Sequence, residues 1–251
     1  MYGQQVHFQR HEPCPRCNSR DNLARYSSGS AFCFGCGYHE PAKLGPSYGN
    51  LSRLETGQAE AAPRHIRPLP DDIVSYYPGH IVNWISQYDL SPVQLISNNI
   101  VWSPSREQLI FQFFGEDSEV ILWQARNFRA GTTHQHRFFT TGSPENTIAK
   151  YSTNEAARVC CLVEDCISAL KVSYTGVDGV PCFSSNISRQ KLLRLSRIYD
   201  TIVVWLDNDK LKESRKISEQ AAAIGMTSSV VWTKDDPKYY SLNQIKRHLN
   251  I

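Results

Sequence analysis

Beyond residue 152 the apolar positions come in short runs rich in β-branched residues: Arg158 to Val163, Val180 to Phe183, Thr201 to Leu206 and Thr227 to Trp232. Between them lie segments of helical length, Asp165 to Tyr174, Ser188 to Arg197 and Leu211 to Ile224, and a last helix is expected over Ser241 to Leu249. Strands alternating with helices at this spacing predict an α/β unit with a mainly parallel sheet covered on both faces. Upstream the pattern differs. Ile73 to Tyr77 and Ile81 to Tyr88 read as helical, as does Pro92 to Ser97, with Ser91 as N-cap and Pro92 at the first helical position. Val101-Trp102, Leu109 to Phe114 and Val120 to Trp123 read as strands, the last two joined by a turn at Gly115-Glu116-Asp117-Ser118. The longest apolar runs are strand-sized, far short of the roughly 20 residues that cross a bilayer, and the first residues lack the apolar core of a secretory signal. A cytoplasmic protein is therefore expected, with no membrane partner.

Before Pro41 the pattern is too sparse for a hydrophobic core, and cysteine changes the picture. Cys14, Cys17, Cys33 and Cys36 form two Cys-x-x-Cys pairs separated by fifteen residues, the spacing of a four-thiolate zinc site that closes as a structural tetrahedron. Arg25-Tyr26 and Phe32 to Phe34 flank Ser27-Ser28-Gly29-Ser30 and predict a β-hairpin carrying the second pair. So small a segment depends on its metal for folding free energy. Cys160, Cys161, Cys166 and Cys182 lie in apolar or mixed stretches and read as small core residues. Residues 42–63, rich in Gly, Ser, Ala, Gln and Pro without periodicity, read as a flexible linker. The expected organisation is thus a zinc ribbon over 1–41, the linker, a subdomain over 64–152 and an α/β subdomain over 153–251.

Charge is nearly balanced, 27 Lys and Arg against 24 Asp and Glu, so any polyanion contact rests on a local patch. One such stretch runs from Val120 to Lys150, where Arg126, Arg129, Arg137 and Lys150 face Glu145 alone. Acids, in turn, gather at the ends of predicted strands: Glu164-Asp165, Asp207-Asn208-Asp209 and Asp235-Asp236. Ligands of an open parallel sheet collect at the carboxyl ends of its strands. Singly, such acids are ordinary helix caps and loop residues. Together they would repel unless cations neutralise them, and one or two Mg²⁺ ions are the natural occupants. Carboxylate-held hard cations that also touch phosphate oxygens serve phosphoryl and nucleotidyl transfer.

These motifs resemble those of bacterial and bacteriophage DNA primases. CPRCNSRDNLARYSSGSAFCFGCGY, residues 14–38, resembles their zinc-binding domain; VEDCISAL, WLDNDK and TKDDPKYYS resemble the three acidic motifs of their Toprim domain. RPLPDD, LIFQFF, LWQARNF and RFFTTG resemble the N-terminal part of their RNA polymerase domain, in the family's order. The resemblance implies DNA-dependent synthesis of short RNA primers from ribonucleoside triphosphates on a single-stranded DNA template. It implies a structural Zn²⁺ and catalytic Mg²⁺ or Mn²⁺. Glu164 would match the Toprim glutamate, as acid/base group or metal ligand. Asp207 and Asp209 would match the metal-binding pair, and Asp235 or Asp236 the last acid. Arg126, Arg129, Arg137 and Lys150 would hold nucleotide and template phosphates. Arg25, Phe34, Tyr38 and His39 would stand near template bases, although packing around the zinc core is an equal use for Phe34 and Tyr38. The chain departs from the family at Asp165 and Ser168, where glycine and aspartate are usual, and at the serine-rich hairpin tip. No Gly-x-x-x-x-Gly-Lys-Ser/Thr segment occurs, so a separate helicase, and a single-strand-binding protein, are the expected partners. Two other functions fit the same motifs: a Toprim metal-dependent nuclease, and a non-catalytic zinc-ribbon DNA reader with a degenerate Toprim domain.

Overall fold

The structure is a computed structural model, and it describes residues 8–27, 29–33, 36, 38–40, 66–133, 137–184 and 187–251. The linker expected over 42–63, and Phe34, lie outside the described residues. The chain divides into two compact units, Met1–Ala59 and Glu60–Ile251.

The first unit is an antiparallel sheet of β1 (Phe8–Glu12), β2 (Leu23–Tyr26), β3 (Ala31–Cys33) and β4 (His39–Glu40), paired in chain order. The expected hairpin is β2–β3. Its turn is closed by a bond from Tyr26 N–H to the Ser30 carbonyl (2.9 Å) and passes through Gly29 at φ 78°, a left-handed conformation that glycine adopts without strain. Among the described residues, Cys14, Leu23, Ala31 and Cys33 form its buried apolar cluster, with Cys36 and Tyr38 against it. Half of that core is thiol, which makes the sulfurs the natural fastening of the unit.

The second unit opens with α1 (Gly79–Ser86) and α2 (Pro92–Ser97), followed by an antiparallel sheet of β5 (Ile100–Ser103), β6 (Gln108–Phe114), β7 (Val120–Asn127) and β8 (Phe138–Gly142). Ser91 caps α2 as expected: its N–H donates to Gln94 Oε1 at 2.8 Å. The segment Ile73 to Tyr77 is not a helix. It lies between Pro70 and Pro78, and Val74 bridges Trp102 through both backbone bonds (2.8 and 2.9 Å). Asp72 holds it there by accepting from Ser103 Oγ and Ser105 N–H, both at 2.7 Å. Seven residues between prolines are too few to repay helix nucleation.

The parallel sheet comprises β9 (Val159–Val163), β10 (Asp178–Pro181), β11 (Thr201–Val204) and β12 (Thr227–Val230), in the order β10-β9-β11-β12. Its helices are α3 (Cys166–Ser173), α4 (Arg189–Leu195), α5 (Leu211–Ala223) and α6 (Leu242–Leu249). Alternation along each strand divides the core. Cys161, Val163, Val203 and Trp205 pack with α3, α6 and the inner face of the antiparallel sheet, including Phe111, Phe113 and Leu122. Cys160, Leu162, Ile202 and Val204 pack with Leu192 and Leu195 of α4 and Ile217 and Ala221 of α5. Both faces are covered, which is why these strands read as continuous apolar runs. Cys160, Cys161, Cys166 and Cys182 are all buried in it, as expected of small core residues, and burial raises each thiol's pKa.

Every residue of α3 is buried, and its backbone presses on β10. A Cβ at Gly179 would stand 1.9 Å from the Ala169 carbonyl oxygen. Gly179→Ala is therefore expected to destabilise the second unit by about 2–3 kcal/mol through overpacking. The check is a fall in the urea midpoint with an unchanged m-value.

Candidate functional site

In the first unit the four cysteines converge. Their sulfurs all lie within 4.8 Å of one another, with Cys14–Cys36 at 3.6 Å and Cys17–Cys33 at 3.7 Å. Four sulfurs at zinc–thiolate bond length on a tetrahedron stand about 3.8 Å apart. The first Cys-x-x-Cys forms a tight turn, with Asn18 N–H bonded to the Cys14 carbonyl and Asn18 at φ 53°. Ser19 draws the Cys17 thiol down to about 6, favouring the thiolate that a metal requires. The donor set and spacing thus fit a closed structural zinc site. Of the side chains expected near template bases, Arg25 is tied to Glu12 (2.7 Å) and Glu40 (3.0 Å), Tyr38 donates to Glu40 (3.3 Å) and packs on the thiol cluster, and His39 is exposed on β4.

In the second unit a cavity of about 540 Å³ opens at the carboxyl ends of β9 and β11. Glu164 and Asp165 follow β9 directly, Asp207 follows β11, and all three line it together with Lys238. Trp205 Nε1–H donates to Thr233 Oγ1 (2.7 Å), which donates in turn to the Asp235 carbonyl (2.8 Å), tying the segment after β11 to the one after β12. Asp236 is thereby brought beside Asp207. Desolvation, then the charges of Asp236 and Glu164, push the Asp207 carboxyl up to about 7. Desolvation also raises Glu164, opposed by Lys210 and reinforced by Asp209, Asp236 and Asp165. Glu164 Oε1 is buried with no hydrogen-bond partner among the described residues. A buried carboxylate oxygen left bare beside a second and third carboxylate is suited to a hard cation. The arrangement is looser than the thiol cluster, since no three carboxylates among the described residues come within 4.8 Å of one another.

The remaining acids separate from this group. Asp209 is exposed and paired to Lys210 (2.6 Å), which lowers its pKa. Asp235 is exposed, so of the doublet it is Asp236 that turns toward the cavity acids. Asp165 caps α3, its Oδ1 accepting from Ile167 N–H and Ser168 N–H at 2.9 and 3.0 Å and its Oδ2 from Ser168 Oγ at 2.7 Å. The two departures from the family pattern, Asp165 and Ser168, thus bond to each other.

Of the four expected phosphate-binding cations, two line the cavity, Arg126 and Arg137. The Arg126 guanidinium lies 4.5 Å from the Trp84 ring centre, 5.3 Å from Phe138 and 5.5 Å from Phe128. Arg129 is elsewhere, exposed beside Glu107 (3.6 Å) and the Ser105 carbonyl. Lys150 pairs with the buried Asp178 at 2.8 Å and lines a different, smaller cavity. Trp84, Phe138, Gln124 and Lys238 line the acidic cavity without having been singled out from sequence. For Lys238 the signal was its place inside TKDDPKYYS; for Trp84 there was none, because a tryptophan on an amphipathic helix reads as core.

No protein-family model matches the sequence, and no curated protein matches it significantly. Among solved structures, the zinc-binding and RNA polymerase domains of the Aquifex aeolicus primase match all of this chain and 79% of that one, with a TM-score of 0.53 at 11% identity. The chain has the primase fold. The primase fragment of the bacteriophage T7 primase-helicase protein matches 97% of this chain and 98% of its own, at 16% identity and a TM-score of 0.49. A DnaG primase catalytic domain bound to single-stranded DNA matches 67% of this chain and 62% of its own, at 13% identity and 0.48. Ribbon, antiparallel sheet and parallel sheet follow one another along the chain, and no described helix is long and apolar enough to cross a membrane.

One zinc per chain is expected by atomic absorption. Cys33→Ser should abolish it and collapse amide-exchange protection over 8–40, since the few buried residues described there cannot hold the sheet alone. A second expectation concerns pH. The Asp207 carboxyl is raised on folding, so the stability it withholds is absent below about pH 4 and grows as pH rises toward 7. Without added divalent cation, Asp207→Asn should therefore stabilise the protein at pH 8 and not at pH 4. The gain should be on the order of 1 kcal/mol, well below the full linkage value because the group is half exposed. Paired thermal melts at the two pH values check it.

Proposed function

We propose that this protein is a DNA primase, a DNA-directed RNA polymerase that makes short RNA primers on single-stranded DNA. The observation that carries this reading is the meeting of Glu164 and Asp207, from neighbouring strand ends, in one cavity with Arg126 and Arg137, with Asp236 beside Asp207 and Glu164 Oε1 buried and bare. Glu164, Asp207 and Asp236 would hold Mg²⁺ or Mn²⁺, which when bound would orient the incoming triphosphate and offset charge as the 3′-oxygen bonds to the α-phosphorus and pyrophosphate leaves. Arg126 and Arg137 clamp phosphate oxygens through their guanidinium forks. Arg126 does so from a preset position, because Trp84, Phe128 and Phe138 hold its plane and little rotamer freedom remains to be lost. Phe138, 42% exposed, offers a face on which a template or nucleotide base stacks. The Glu164 oxygen not taken by the ion accepts the proton of the attacking 3′-hydroxyl, a task to which the raised pKa of this carboxyl is suited.

The thiolate-stapled unit presents template. Its exposed His39, and Phe32 opposite it in the sheet, offer side chains to bases. Arg25 acts there mainly by fixing the sheet through Glu12 and Glu40. Strand separation is assigned to a helicase, and protection of the template to a single-strand-binding protein.

Incorporation of labelled nucleoside triphosphates on mixed-sequence single-stranded DNA with Mg²⁺ tests the proposal. Wild type is expected to make short oligoribonucleotides. Glu164→Ala and Asp207→Ala should each lose roughly 100-fold or more, Arg126→Ala should lose more than Arg129→Ala, and all should keep their zinc. Equal product from wild type and Asp207→Ala would overturn it.

A further inference from the structure

Lys238 lies among the acids of the cavity. It projects from the one-turn 3-10 segment Pro237–Tyr239 after β12, and its side chain is 17% exposed. Its ammonium contacts Asp165 Oδ2 at 2.9 Å and Asp236 Oδ2 at 2.5 Å, bridging carboxylates that belong to two different strand ends. The bridge is built rather than incidental. The Lys238 carbonyl accepts from the Nζ of Lys171, 3.1 Å away, and Lys171 is itself 2% exposed, in the middle of α3. Asp165 is equally fixed: one oxygen takes two backbone N–H groups and the other takes Ser168 Oγ and Lys238. Neither oxygen of Asp165 is left for a metal.

Sites with two ions hold them about 4 Å apart and draw on several free carboxylates. Here the carboxylates not already neutralised by a lysine are Glu164 and Asp207. Asp236 is shared, and Asp209 is exposed with Lys210. We infer that the Lys238 ammonium permanently occupies the place of a second divalent ion, so that the cavity binds one divalent cation, on Glu164 and Asp207 with help from Asp236. A fixed monovalent charge supplies constant compensation and repels a second dication, whereas a metal would exchange. Lys238 is in this sense a positioning residue for the single ion. The inference rests on the polymerase reading of the cavity but concerns only its metal count.

The test is Mn²⁺ titration of the zinc-loaded full chain, followed by electron paramagnetic resonance without DNA or nucleotide. The soft four-thiolate site retains zinc, so the signal reports the carboxylates. Wild type is expected to bind one Mn²⁺. Lys238→Gln, which leaves Asp165 and Asp236 uncompensated, is expected to bind two, with spin–spin broadening, whereas Lys238→Arg should bind one. Two Mn²⁺ in wild type, or one in Lys238→Gln with unchanged affinity, would overturn the inference; should Lys238→Gln fail to fold, the wild-type count still decides it. One Mn²⁺ with no primer synthesis would sink the primase proposal and leave this inference intact.

Discussion

Like charges at neighbouring strand ends repel, and the chemistry-bearing half of this protein is organised around that constraint. A parallel sheet delivers Glu164 and Asp207 to one rim because β9 and β11 are neighbours running the same way. The segment after β12 adds Asp236. Nothing in hydrophobic burial favours this meeting; desolvation opposes it, as the raised pKa values of Glu164 and Asp207 record. What makes it tolerable is a graded set of compensations. Asp165 is satisfied by a helix N-terminus and a lysine, Asp236 by the same lysine, Asp209 by Lys210 and solvent. The remainder, Glu164 and Asp207, carry unbalanced charge, and unbalanced charge in a half-buried cavity is where a cation and a polyphosphate gain most.

The same two-sided sheet explains why its strands carry cysteine. Cys160 and Cys161 are consecutive, so they point to opposite faces, one toward α4 and α5 and the other toward α3 and α6. Each is a small apolar filler where helices approach closely, and Gly179 on the adjacent strand meets α3 at still shorter range. Tight packing on this side has a functional result. It holds α3 rigidly, and α3 carries both the Asp165 cap and Lys171, which fixes the backbone of Lys238. Core packing and site electrostatics are one construction here.

Legibility from sequence followed the range of the deciding interaction. The Cys-x-x-Cys pairs, the β9 to β12 strands, their intervening helices and the Ser91 cap all rest on periodicity or spacing within a few residues, and the structure has them. Ile73 to Tyr77 misled because its apolar spacing is helical, while its fate is set by Asp72 bonding across to Ser103 and Ser105, some thirty residues away. β8 was legible in principle, since Phe138 to Gly142 has strand propensity, but its charge neighbourhood drew the reading toward phosphate binding. The role of Lys238 was hidden although its motif, TKDDPKYYS, was not. A lysine's role depends on which carboxylates it reaches, and Asp165 lies 73 positions earlier.

The contrast among the four basic candidates follows from the same point about range. Arg126, Arg129, Arg137 and Lys150 are equivalent as entries in a charge count, but a cation is available to a substrate only if the protein has not already satisfied it. Lys150 is consumed by Asp178, whose carboxylate is 1% exposed and would otherwise stand uncompensated. Arg129 sits in solvent beside Glu107, where an ion pair is worth little and phosphate gains little more. Arg126 differs from both. Its partners are three aromatic faces, which orient the guanidinium without neutralising it, and its buried Nε has no acceptor among the described residues. Positive charge held in place, desolvated and unspent, across one cavity from carboxylates that are likewise unspent, leaves both signs of charge open to an incoming ligand.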